Sequence, residues 1–150
     1  MPSDSHSTYD QRVSTEGQDS PEVRLGALRE GGLAPAIMVI VERGVQRRPD
    51  QARALRLEVE LRMEEAYPPI RIVFGDDGVL VEDGPAVAPG LRISGTLPDL
   101  VALMTAPTVR GMPSPMDARG RAALGLFASR RVRIQGRVGA LRDFVSVIRL

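Results

Sequence analysis

Cysteine, lysine and tryptophan do not occur among the 150 residues, and histidine occurs once. Without cysteine there are no disulfides, thiolate zinc sites or thiol nucleophiles to consider. The single histidine, His6, lies in a Ser-rich N-terminal stretch, so the rest of the chain cannot assemble a Ser-His-Asp relay or a histidine metal site. Aromatic residues make up only 3% of the chain. The core must therefore be aliphatic, and a cavity lined by it would be greasy and poor in hydrogen-bond donors. The longest apolar run, Ala34 to Val41, is far shorter than the ~20 residues a membrane span needs. No basic segment leads into an apolar run near the start, so no signal peptide is visible and a cytoplasmic location is expected. The last three residues, Ile148-Arg149-Leu150, resemble a peroxisomal Ser-Lys-Leu signal, but with Ile in place of the small first residue.

All 20 basic residues are arginine, and 19 carboxylates leave a net charge of +1. Arginine's fork suits phosphate, but binders of nucleic acid are usually strongly basic, so the balance argues against nucleic acid as a partner. The arginine bias, with abundant Ala, Gly, Val and Pro, reads as the coding bias of a GC-rich, bacterial genome. A composition of 43% apolar and 26% charged residues is that of an ordinary globular protein. The length suits one domain with a true hydrophobic core.

Residues 1–20 are polar and nearly free of aliphatic side chains, so they are expected to form a disordered tail ahead of a domain spanning 21–150. Ser20 as cap and Pro21 at the first helical position predict a short helix through Leu28. After Gly31-Gly32, the spacing of Leu33, Ile37, Ile40, Val41, Gly44 and Val45 predicts a helix that stops at Arg47-Arg48-Pro49. Met38 and Val39 make it apolar on more than one face, which implies deep cover. From Leu55 to Met63 apolar residues alternate with charged ones, the mark of a strand with one buried and one wet face. Ile70, Ile72 and Phe74 alternate again, Asp76-Asp77-Gly78 makes a hairpin turn, and Val79 to Val81 return. A Pro/Gly loop from Gly84 to Gly90 precedes a short strand at Leu91 and Ile93. Successive strands joined by turns predict an antiparallel sheet and an α+β fold.

Thr96 followed by Asp99 resembles a capping box, and Leu97, Leu100, Val101 and Met104 form one helical stripe. Residues 106–120, with three prolines and two glycines, read as a mobile loop. A helix from Arg121 to Ser129, a strand over 131–134 and a last helix from about Gly139 follow, the last with the stripe Leu141, Phe144, Val145 and Ile148. Arg131 and Arg133 are expected on one strand face, opposite Val132 and Ile134. The carboxylate pairs Glu64-Glu65, Asp76-Asp77 and Glu82-Asp83 read as solvated turn or strand-end residues rather than as acid/base catalysts. Gly75, Gly78 and Gly84 do not make a phosphate loop. No catalytic group and no cofactor site is expected.

Two stretches carry a family resemblance. LRISGTLPDLVALM (91–104) runs from a strand into a helix of the type D-L-x-x-L-M, and RRVRIQGRVGALRDFVSVIRL (130–150) runs from a basic alternating strand through Gly into an amphipathic helix. In order and content they resemble the sterol carrier protein 2 (SCP2) domain, with a weaker likeness back to about Leu55. The link between the two stretches is longer than usual for that family, and Arg130 replaces a small residue. The resemblance implies a twisted, mainly antiparallel five-stranded sheet with helices on one face, enclosing an apolar tunnel for sterols, fatty acids, acyl-CoA esters or other lipids. It implies a non-catalytic role. The lining residues would be Leu100, Val101, Met104, Phe127, Leu141, Phe144, Val145 and Ile148. Arg131 and Arg133 would attract anionic headgroups or a CoA phosphate and favour transient contact with an anionic membrane surface. A rival reading is a structural or regulatory module with a reduced pocket that meets a protein partner through tail 1–20 or loop 106–120, or that assists a lipid- or quinone-modifying enzyme.

Overall fold

The computed structural model describes residues 20–109 and 112–148. The expected N-terminal tail, with His6, falls almost wholly outside these residues, as do the last two positions. The elements run β1 (Val23–Leu25), α1 (Ala34–Arg47), α2 (Pro49–Ala54), β2 (Leu57–Met63), β3 (Ile70–Gly75), β4 (Gly78–Asp83) and β5 (Leu91–Gly95). Then come α3 (Leu97–Thr105), β6 (Thr108–Val109), β7 (Met112–Pro113), α4 (Ala118–Ala128), β8 (Arg133–Gly136) and α5 (Val138–Ile148).

The main sheet has six strands in the order β1-β4-β3-β2-β5-β8, and β6 and β7 form a separate ribbon. It is mixed: β2–β3, β3–β4 and β5–β8 pair antiparallel, whereas β1–β4 and β2–β5 pair parallel. Three of the five pairings are antiparallel, but six strands stand where five were expected and two of the pairs are parallel. The sixth strand is β1, where a helix was predicted over 21–28. A helix that short scarcely offsets its nucleation cost, and Gly26 would weaken it further. The same segment instead aligns Val23 with Val79 and Leu25 with Val81 on the free edge of β4. Gly78 lies in the left-handed region at φ 103°, and a Cβ there would meet the Glu22 carbonyl oxygen at 2.4 Å, so that edge admits β1 only because the residue is glycine.

Alternation in β2 to β5 sends Val59, Leu61, Met63, Ile70, Ile72, Phe74, Val79, Val81, Leu91 and Ile93 to one face, where all are buried. α1 lies over the β1–β4 side and packs against α5. Phe144 of α5 meets Phe74 of β3 edge to face, ring centres 6.2 Å apart. The deep cover expected for α1 holds for Ala34, Ile37, Val41 and Val45 but not for Val39, which is exposed. Asp83 holds the start of α1, accepting from the Ala34 and Arg29 N–H groups at 3.0 Å each. Pro49, read as a stop for α1, also opens the one-and-a-half-turn α2, because proline suits a first helical position.

α1 and α5 approach so closely at Gly44 that a Cβ there would sit 2.3 Å from the Val147 carbonyl oxygen and 2.8 Å from the Ile148 Cα. These are backbone atoms with little freedom to give. Gly44→Ala should therefore cost about 1–3 kcal/mol by overpacking, more than the ~1 kcal/mol that alanine's helix propensity offers. A lower urea midpoint at unchanged slope would show it. Arg130, just past α4, is the one non-glycine residue with positive φ among those described, at 58°. Arg130→Gly should raise stability by about 1 kcal/mol by relieving the left-handed conformation, read as a higher melting midpoint.

Candidate functional site

The wet face of the sheet is a network of ion pairs. Arg71 on β3 donates to Glu58 on β2 at 2.6 Å and to Glu82 on β4 at 2.7 Å. Glu60 is 0% exposed, yet it accepts from Arg92 at 2.7 Å and from the Ala86 N–H at 2.8 Å, with Arg62 3.0 Å away. Glu58 also accepts from the N–H groups of Val87 and Ala88. The 84–90 loop is thus held across this face by two carboxylates. Burial pushes Glu58 and Glu60 up, but Arg71, Arg92, Arg62 and the loop N–H groups outweigh it and hold both below the ordinary glutamate value. Arg71 likewise lowers Glu82, and the two glutamates raise Arg71. Glu82 and Asp83 are therefore structural, not solvated as the sequence suggested. Among the described residues no group of three or more His, Asp or Glu could hold a metal ion.

The helices α3 and α4 are fixed at their starts by side-chain caps. Thr96 caps α3 by accepting from the Asp99 N–H, and Glu65 accepts from the Leu97 N–H. Leu100 and Leu103 turn inward. Loop 106–120 is not structureless: it holds the β6–β7 ribbon and the first turn of α4. Asp117 caps α4 through the N–H groups of Arg119 and Gly120. Gly120 lets α4 come close to the loop, since a Cβ there would meet the Ser114 carbonyl oxygen at 1.9 Å.

Between α3 and α4 lies a mainly apolar groove of about 190 Å³, lined by Ala102, Thr105, Ala106, Ala122, Ala123 and Leu126, with Arg119 beside them. Sequence reasoning missed these alanines because their short side chains give little hydrophobic signal. Asp117, a good N-cap, was the available clue to the earlier helix start. A second, more polar groove of about 720 Å³ runs from Leu55 and Leu57 to Gly136, Arg137 and Ala140. A third of about 300 Å³ continues it between α2 and α5, sharing Leu55 and Asp143.

Leu100, Leu141, Phe144 and Ile148 belong to the buried core, and Met104, Phe127 and Val145 pack partly buried against it. Val101 stands 41% exposed. None of the eight lines the α3–α4 groove. Arg131 and Arg133 do not share a strand face, because β8 begins at Arg133. Arg131 grips the buried Asp99 of α3 with two hydrogen bonds, at 3.1 and 2.8 Å. Arg133 is exposed opposite Ser94.

The fold is SCP2-like. It matches a solved structure described as a UbiJ-SCP2 ubiquinone synthesis protein with a TM-score of 0.55 and 16% identity, over 77% of this chain and 88% of that one. It also matches the stereoselective inverting sec-alkylsulfatase Pisa1 from Pseudomonas sp. with a TM-score of 0.50 and 14% identity, over 67% of this chain but only 14% of the sulfatase. No protein-family model matches the sequence, and no curated protein does. At such identities the likeness is one of fold. No helix among the described residues is long and apolar enough to cross a membrane.

The three lowered glutamates fix how stability responds to acid. Each is held below 4.5, the ordinary glutamate value, so the stability it contributes is complete above that pH and is lost as pH falls through the lowered value. The melting midpoint should stay level between neutral pH and about 5, then fall steeply below about 4.5. Arg71→Gln should lower the plateau and soften the fall.

Proposed function

We propose that this chain binds a hydrophobic ligand without catalysis, a sterol, fatty acid, acyl-CoA ester or other lipid, and passes it to a membrane or an enzyme. The SCP2-like fold carries this reading, and the apolar α3–α4 groove supports it. Apolar contact contributes roughly 25 cal/mol per Å² removed from water, so a chain-like ligand needs no specific polar partner. The ligand would pass from the groove toward Met104 and Phe127 and the helical stripes that bear Leu100, Leu141, Phe144, Val145 and Ile148. Val101 would belong to the mouth. Arg133 would meet an anionic headgroup, with Arg131 contributing only if it released Asp99.

One observation favours a second reading. Phe144 is seated on Phe74, and Leu141 and Ile148 are buried beside it, so part of the expected lining already serves as packing. A domain with a reduced pocket would act as an accessory to a lipid-modifying or quinone-modifying enzyme, a role to which the ubiquinone synthesis match lends support.

Native mass spectrometry of the purified protein, followed by solvent extraction, tests both. The carrier reading expects a stoichiometric apolar ligand, and Ala122→Trp in the groove should weaken fluorescent fatty-acid uptake by roughly tenfold, or about 1.4 kcal/mol, with unchanged circular dichroism. A protein that emerges empty and takes up neither fatty acid nor sterol is no carrier, and the accessory reading would replace it.

A further inference from the structure

We propose that the β6–β7 ribbon and the start of α4 form a docking face for an anionic lipid bilayer. In the ribbon Thr108 pairs with Pro113 and Val109 with Met112. Directly paired residues share a ribbon face. Thr108 and Pro113 are buried, whereas Val109 and Met112 face outward, 56% and 40% exposed. Met116, at 90%, is the most exposed large apolar side chain among the described residues. Three apolar side chains thus stand in water in the segment between α3 and α4.

Two arginines, Arg119 and Arg121, stand on the start of α4, the next element in the chain. Arg121 reaches back to the carbonyl oxygens of Pro115 and Met116, which places its guanidinium beside the exposed methionine. Arg119 is exposed and carries no ion pair among the described residues. The only carboxylate between Asp99 and Asp143 is Asp117, and it is engaged in capping α4. Charge divides the same way along the chain. Residues 100–150 hold nine arginines against two aspartates, with Arg131 paired to Asp99 and Arg142 to Asp143, and residues 1–99 hold eleven arginines against seventeen carboxylates. Apolar tips beside Arg119 and Arg121, neither of which forms an ion pair among the described residues, suit a surface with anionic headgroups above an acyl layer. Arg119 also borders the α3–α4 groove, so a docked face would present that groove to the bilayer.

This face rests on the ligand-binding reading for its purpose, yet the two fail separately. A protein that ignores vesicles can still carry a co-purified lipid, and an empty one can still bind vesicles. The chain lacks tryptophan, so Met116→Trp installs a lone tryptophan at an exposed position of the 150-residue chain. Its emission should shift to the blue on phosphatidylglycerol vesicles, be quenched by brominated acyl chains, and stay unchanged on phosphatidylcholine. In cosedimentation, Arg121→Gln should weaken binding about fivefold, the ~1 kcal/mol of one basic residue at an anionic surface. Met112→Asp with Met116→Asp should abolish it. No shift on phosphatidylglycerol, or an equal shift on phosphatidylcholine, would overturn the proposal. So would a dimer dissolved by the double aspartate change, which would assign the face to a second copy of the chain.

Discussion

Glu58 and Glu60, on the wet side of β2, hold the chain as it crosses back to that strand. After the β2–β3–β4 meander the polypeptide is two strands away from β2 and running in the same direction. To place β5 beside β2 it must travel back across the sheet, and its free N–H groups need partners on the way. The two carboxylates accept from Ala86, Val87 and Ala88, while Arg71 and Arg92 balance their charge. Everything downstream depends on that crossing: the parallel β2–β5 pair, β8 on the far side of β5, and α5 laid over Phe74. A charged face that resembles an ordinary solvated surface is therefore what sets the topology.

Features fixed by neighbours in the sequence were legible beforehand. The alternation of β2, the Asp76-Asp77 turn, the Thr96 cap and the stripe of α5 all depend on residues a few positions apart. Features fixed by distant partners were not. β1 owes its conformation to β4, more than fifty residues later, and its own sequence reads equally well as a short helix. Asp83 is read as a turn residue until α1 supplies the N–H of Ala34, and Arg131 as a strand residue until α3 supplies Asp99. The site was legible only in outline. Leu141, Phe144 and Ile148 announce an inward face, but periodicity does not distinguish a side chain that lines a space from one that fills it. The groove itself is built from alanines, whose contribution is the room they leave.

The two groups of helices are held in different ways. On one side α1 is bound at its start by Asp83 and pressed against α5 at Gly44, so these two helices form a closely packed cover. On the other, α3 and α4 meet over small side chains, are joined by a two-residue-per-strand ribbon, and are held by the Asp99–Arg131 pair, just ahead of β8, and a few buried leucines. Adjustment to a ligand would fall to this second group, where few contacts need to be rearranged.

The short outer strands of the sheet have a consequence for how the protein behaves in a crowd. An unpaired strand edge is a template on which another chain can add. Here β1, with three residues, and β8, with four, occupy the two borders, and each carries an exposed arginine, Arg24 and Arg133. The long, strongly apolar strands are all enclosed between neighbours. A newcomer would find only a few free hydrogen-bonding groups and a positive charge beside them. The sheet can thus be rich in valine and isoleucine, the residues most prone to amyloid-like stacking, and still offer little for growth.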